Sequence, residues 1–234
     1  MQIKTMMAQL GVALMLLTAA SAFAAPDETR ADEGWIRLFD GKTLNGWKFN
    51  EGQDSFTVED GVIVAHGGRS HLFYVGPVKN HNFKNFEFRA DVMTTTGANS
   101  GIYFHTDFRQ SGWPGKGFEA QVNSSHSDPK RTGSLYNIKD YVVRDLVKEA
   151  DKLLSRDGKW FRYDIIVKGN QIILKIDGKT IVDYKEPESA KRADGKPGRY
   201  LSSGTFALQA HPPDTPKNKG LVYFKNIMVK PLPD

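Results

Sequence analysis

Residues 117–123, Gly-Phe-Glu-Ala-Gln-Val-Asn, combine a strand-like alternation with side chains that can do chemistry. In an extended chain Phe118, Ala120 and Val122 point one way and Glu119, Gln121 and Asn123 the other. Sheet enzymes that cut sugar polymers often carry Glu-x-Asp-x-Glu in such a place. A retaining glycosidase needs two carboxyl groups about 5 Å apart, one of them nucleophilic. Gln121 and Asn123 fill neither role, so Glu119 is a single carboxylate among amides. Two other segments share the pattern. In residues 100–107, Tyr103, His105 and Asp107 alternate with Ile102, Phe104 and Thr106; in 205–211, Gln209 and His211 oppose Phe206 and Leu208. Glu, Gln and His on these faces replace the Lys and Thr of an ordinary wet strand. The rival reading is a plain solvent-facing sheet. The sharper one is a concave face for a polyhydroxylated ligand, with paired donors and acceptors for hydroxyls and an aromatic platform for the C–H face. Tyr103, Tyr136, Trp113 and Trp47 are the platform candidates.

Other site chemistries leave no signature. There is no His-Glu-x-x-His, no Gly-x-Ser-x-Gly elbow, no phosphate loop and no dinucleotide fingerprint. His105, His126, His211 and Glu119 could meet around a divalent metal ion, which spacing alone does not decide.

The elements that must position these residues are strands. Phe86, Phe88, Ala90 and Val92 alternate in one run, Phe161, Tyr163, Ile165 and Val167 in a second, and Ile172, Leu174 and Ile176 in a third. Residues 221–229 are apolar on both faces except at Lys225 and Asn226, the pattern of a central strand. Turn signals at 59–62, 168–171 and 177–180 place Gly or Asn where hairpins need positive φ. Helical spacing occurs once, and predicts a short helical insertion near 143–158. Many strands and polar loops at 106–116, 123–140, 185–203 and 211–219 predict an all-β, two-sheet antiparallel sandwich of jelly-roll type whose loops rim a site.

No composition shift divides the middle of the 234-residue chain, so residues 34–234 read as one domain after a segment at 25–33. Residues 1–24 read as a signal peptide: a basic start, an apolar run, and a small-x-small site at Ala22-Phe23-Ala24. A periplasmic or secreted protein is expected, with no later membrane span. Cysteine is absent, so an exported chain must rest on a packed core rather than on disulfides. The formal charge of +5 is scattered without aromatic interleaving, which argues against a nucleic-acid partner.

The stretch 34–49 contains Phe39, Asp40, Gly41, Lys42, Leu44, Gly46 and Trp47, and it resembles the opening signature of the bacterial 3-keto-disaccharide hydrolase domain family. The resemblance continues in order through 58–65, 83–92, 98–106, 117–122, 132–136, 159–184, 203–211 and 222–232. It implies a concanavalin-like jelly roll, export, and action on sugars oxidised at carbon 3. Such a ketone acidifies the hydrogen on carbon 2. A base removes it, an enolate forms, and the group on carbon 1 leaves; water can then add back. One base, donors for the enolate oxygen and an acid for the leaving group suffice. By position Glu119 and His211 match the family's most recognisable polar positions, and either could be the base. Gln121 and Gln209 would hold hydroxyls or the enolate oxygen, beside Tyr103, His105 and Tyr136 as substrate-binding residues. At 105 this chain departs from the pattern, with His in place of Arg. The partner expected is a small carbohydrate, a 3-keto-glycoside or disaccharide. A divalent metal polarising the ketone would change these roles. The alternative is a non-catalytic carbohydrate-binding module, since fold does not fix function.

Overall fold

The structure is a computed structural model that describes residues 33–136, 138, 143, 154–191 and 200–234. The chain divides after Glu33, and Gly34–Asp234 forms the body described below. The expected signal peptide and almost all of the segment after it lie outside the described residues. So do residues 144–153 of the expected helical insertion, while 154–158 make a bend and a turn rather than a helix.

Among the described residues the chain forms strands β1 (Ile36–Arg37), β2 (Trp47–Phe49), β3 (Phe56–Glu59), β4 (Val62–Ala65), β5 (Ser70–Tyr74), β6 (Phe86–Thr94) and β7 (Ser100–Thr106). These are followed by β8 (Phe118–Val122), β9 (Phe161–Lys168), β10 (Gln171–Ile176), β11 (Lys179–Lys185), β12 (Thr205–Ala210) and β13 (Val222–Pro231). One sheet runs β11-β10-β9-β6-β13-β4-β3, with β1 also pairing to β13; the other runs β2-β5-β12-β7-β8. Neighbours are antiparallel throughout both sheets. This is the two-sheet sandwich that the alternation predicts.

The inner faces make one apolar core. β6 buries Phe86, Phe88, Ala90, Val92 and Thr94 in strict alternation. Phe206 of β12 meets Phe86 and Phe88 of the facing β6 at ring centroid distances of 4.9 and 4.7 Å, and Phe83, whose backbone bridges Gly204, at 4.8 Å. Full burial of one such ring stabilises by about 1.5–3 kcal/mol. The three hairpins form where the turn residues stand: Asp60 and Gly61 have φ of 47° and 81°, Gly169 59°, and Asp177 and Gly178 48° and 77°.

β13 is central, as expected, but apolar residues on both of its faces have a second cause. A bulge between Lys225 and Met228, with Asn226 at φ 51°, shifts the phase. Val222 and Phe224 are buried before it, Ile227 and Val229 after it. The sheet holding β5, β12, β7 and β8 is buried on both faces. Its outer side is not a wet face, because loops fold across it.

Candidate active site

The register of the smaller sheet lines up the polar residues. Tyr103 lies beside Glu119 and Gly101 beside Gln121 across β7 and β8. Ala207 lies beside Tyr103 across β12 and β7, and β5 places Phe73 beside Ala207 and His71 beside Gln209. Two rows therefore cross the face: Phe73, Ala207, Tyr103, Glu119, and next to it His71, Gln209, Gly101, Gln121. Inter-strand spacing of about 4.8 Å brings their side chains within reach of one small ligand.

Glu119 is the centre, only 4% exposed. Its Oε2 accepts a hydrogen bond from the Tyr103 hydroxyl at 2.7 Å, and its Oε1 accepts one from Gln209 Nε2 at 3.1 Å. Gln209 Nε2 also donates to the Tyr103 oxygen at 3.2 Å, closing a triangle. Gln121 donates to Asn99 Oδ1 at 3.2 Å; with its amide turned over it donates instead to Ser100 O at 3.0 Å and Glu119 Oε1 at 3.3 Å. The carboxylate has room because residue 101 is glycine. A Cβ there would overlap Glu119 Oε1 and lie 2.7 Å from its Cγ and 2.9 Å from its Cδ.

Above this floor opens a cleft lined by Asn99, Tyr103, Trp113, Glu119, Gln121, Asp128, Tyr136, Gln209 and His211. One wall comes from the loop after β8, and Asn123 folds that loop. Its amide donates to Asp128 O and Lys130 O, each at 2.9 Å, and its oxygen accepts from His126 N at 2.9 Å and Arg131 Nη1 at 3.0 Å. The last polar position of the strand is thus scaffold, and it delivers Asp128, a carboxylate that the sequence reading missed. Asp128 Oδ2 accepts from the Tyr136 hydroxyl at 3.2 Å, while Lys130 Nζ lies 3.9 Å from that ring's centroid. Burial pushes the Tyr136 phenol above its ordinary range, with the charges of Asp128 and Glu119 adding to the shift and Lys130 opposing it.

His211 stands at the rim just beyond β12. Its Nδ1 lies 2.7 Å from Pro212 O, a carbonyl that can only accept, so Nδ1 carries a hydrogen and Nε2 is left facing away from that bond. Its ring meets Trp113 at 5.8 Å and His126 at 5.4 Å. Trp113 reaches the cleft from the β7–β8 loop and is 41% exposed. On its other side it packs edge-on, at 5.3 Å, against His71. His71 is fully buried, and neither ring nitrogen has a hydrogen-bond partner. Burial pulls its pKa down to about 3, so the ring is neutral. Its place beside Gln209 is fixed by the β5–β12 register, a signal that single-strand alternation does not carry.

The face thus gathers Glu119, Gln121, Tyr103, Gln209, Tyr136 and His211 at one cleft. His105 is not brought there. Its φ of 55° breaks the alternation of β7 at a register shift opposite Thr205–Ala207. The ring turns to Phe86 and Phe104, with Nε2 2.9 Å from Lys84 O and Nδ1 accepting from Ser202 N at 3.2 Å. Burial lowers its pKa to about 4. Trp47 is no platform either: it is a core residue whose Nε1 donates to Leu38 O at 2.7 Å. Among the described residues no three His, Asp or Glu side chains converge to hold a metal ion. His126 and His211 are adjacent, but His105 is turned away to Lys84 O, and Glu119 is engaged by Tyr103 and Gln209.

Comparison with known proteins bears on this geometry. The family model described as a 3-keto-alpha-glucoside-1,2-lyase-like domain matches residues 34–230. A Bacteroides thetaiotaomicron protein named 3-keto-disaccharide hydrolase is 27% identical over 172 residues, 65% of this chain, and the match spans 59% of that protein's length. The crystal structure of a candidate glycosyl hydrolase from Parabacteroides distasonis is 26% identical, with a TM-score of 0.69 over 90% of this chain and 99% of that one. A Bacillus subtilis protein with a galectin-like fold shares the architecture at 13% identity and a TM-score of 0.54, covering 84% and 94% of the two chains. The jelly-roll expectation is met.

Proposed function

As a member of the 3-keto-alpha-glucoside-1,2-lyase-like domain family, the chain is a carbohydrate-active, glycosyl-hydrolase-like protein, and we propose that its cleft cleaves 3-keto-glycosides by elimination. Glu119 takes the proton from carbon 2 of the sugar, and the C–H electron pair moves into the enolate of the 3-ketone. Gln121 and Gln209, with amides beside the carboxylate, supply donors for the oxygen that gains charge. The enolate then re-forms the ketone and expels the group on carbon 1, leaving a double bond between carbons 1 and 2. The departing oxygen takes its proton at the rim, where His211 and Tyr136 stand. Adding water across the double bond, OH to carbon 1 and H to carbon 2, makes the net reaction a hydrolysis. The same cleft thereby accounts for a lyase and a hydrolase outcome.

The carrying observation is the buried Glu119 carboxylate, oriented by Tyr103 and Gln209 at the floor of the cleft that it lines. Asp128 is the cleft's other carboxylate, and it is already engaged by Tyr136 and by the Lys130 backbone N–H at 2.9 Å.

The test is loss of the carbon-2 hydrogen from a 3-keto-glucoside in heavy water, with cleavage followed in parallel and both repeated with a chelator. Exchange and cleavage are expected with the ketosugar and absent with its unoxidised parent. Protein that binds the ketosugar but catalyses neither, even with divalent metal supplied, is a binding module instead. We place the activity outside the cytoplasm on the strength of the N-terminal pattern. The mature protein should begin at Ala25, and recovery from the periplasm with Met1 intact would refute export by cleavage.

A further inference from the structure

His71 extends the polar row one strand past Gln209, yet it takes no part in the chemistry above. Buried polar groups almost always find partners, and leaving a nitrogen without one is destabilising. His71 leaves both ring nitrogens so, at 0% exposure, with aromatic edges rather than donors or acceptors around them: Tyr103 at 5.3 Å, Trp113 at 5.3 Å and Phe73 at 6.2 Å. The charged or titratable groups nearby are Glu51, Arg69, His211 and Arg109. Of its aromatic neighbours only Trp113 is exposed. Trp113 sits in the irregular stretch 107–117, which is tied down by a few polar contacts. Arg109 Nη1 donates to Trp113 O at 2.5 Å, Asn50 Nδ2 donates to Gly112 O at 3.0 Å, and Lys116 pairs with Asp107 at 2.8 Å.

We propose that His71 and Trp113 form a second sugar subsite on the β5 side of the cleft, which accepts the ring joined to carbon 1 of the cleaved sugar. In it Trp113 moves off the imidazole and lies along the apolar face of that ring. One imidazole nitrogen then donates to a sugar hydroxyl and the other accepts from one. The combination adds an indole platform and a second hydrogen-bonding ring to the tyrosines that line the Glu119 end of the cleft. The subsite rests on the reading of the cleft as a sugar site. It makes the chain selective for disaccharides over simple glycosides.

The experiment titrates methyl 3-keto-glucoside, with one ring, and a 3-keto-disaccharide, with two, into Glu119→Gln protein, where neither ligand is consumed. Adding His71→Leu should weaken the disaccharide about tenfold, the effect of one or two hydrogen bonds, and leave the one-ring ligand within about twofold. The same change should raise Tm by about 2–4 °C, because it removes two unpartnered nitrogens and no hydrogen bond. Trp113→Ala removes the cover of the imidazole but leaves His71 and its strand as they are, which guards against a misfolded Leu variant. It should also weaken the disaccharide, and it should bring the His71 titration, followed by NMR, up toward the ordinary ~6.5 as water reaches the ring. Unchanged disaccharide affinity in both variants overturns the subsite. Failure of the parent Glu119→Gln protein to bind either sugar overturns the reading of the cleft itself, and the subsite with it.

Discussion

Glu119 is a carboxylate whose two oxygens already receive hydrogen bonds, and this makes Glu119→Gln a clean test. The Gln209 amide can still donate to the new carbonyl oxygen. The Tyr103 hydroxyl, a donor to Glu119 in the native protein, can rotate and accept from the new NH₂. The expected stability cost is therefore about 1 kcal/mol, measurable by denaturant titration. Proton removal should fall by ~10²–10⁴, since an amide cannot take the proton, and the carbon-2 exchange rate reads this directly. Exchange that persists unchanged would move the base to His211. At this scale the sequence was informative about Glu119, Gln121, Gln209 and His211, because alternation in three separate strands marks them. It misled at His105, where one left-handed residue reverses the direction of a side chain. It was silent on Asp128, which a loop delivers, and on His71, whose strand reads as an ordinary buried one.

Gly101 illustrates what a strand pair must do beyond alternating. On β7 it opposes Gln121 of β8, and its missing side chain is the space that the Glu119 carboxylate fills. Gly101→Ala should keep the sandwich, at a cost of about 1–3 kcal/mol for overpacking, while driving Glu119 out of its bonds with Tyr103 and Gln209. The exchange rate should fall by about 10²-fold, as for a misplaced reacting group, with Tm lowered only modestly. An Ala variant as active as wild type would show that the carboxylate need not sit where it does. The bulge at His105 has a related device. Gly117 and Gly204 flank it, and a Cβ on either would lie 2.7 Å from the His105 carbonyl carbon. Hairpins and the β6, β9 and β10 strands were legible because turn residues and period-two burial are local. The His105 and Asn226 bulges were not, because each depends on what the neighbouring strand presents. The opening signature near residue 40 is likewise a folding device. Asp40 accepts from the backbone of Lys42 and Thr43, and Phe39 and Trp47 enter the core, all away from the cleft.

For the whole molecule, the two buried neutral imidazoles set a response to acid. His71 and His105 have folded-state pKa values of about 3 and about 4, both below the ordinary 6.5, because burial disfavours their charged forms. Between pH 6.5 and about 4 the unfolded chain therefore binds two protons that the folded chain does not. Stability is fully present above pH 6.5 and is lost as pH falls, by up to about 1.4 kcal/mol per pH unit for each ring. Urea unfolding at pH 7.5 and pH 5 should show this loss, and His71→Leu should remove about half of it; equal stability at the two pH values would contradict the burial. The fold class was legible from strand count and loop composition, since both follow from burying one face of each sheet. The enclosure of the second face was not, because it is made by loops. The loop after β8 has one more consequence. Its backbone pairs with the outer edge of that strand, through Gln121 N to Ser134 O, Gly133 N to Gln121 O and Tyr136 N to Glu119 O. β8 is the last strand of its sheet, and an uncovered edge there would invite pairing with other chains. Shortening this loop to admit bulkier sugars would therefore do more than widen the cleft. It would bare a strand edge, and the engineered protein would become prone to aggregate before it became promiscuous.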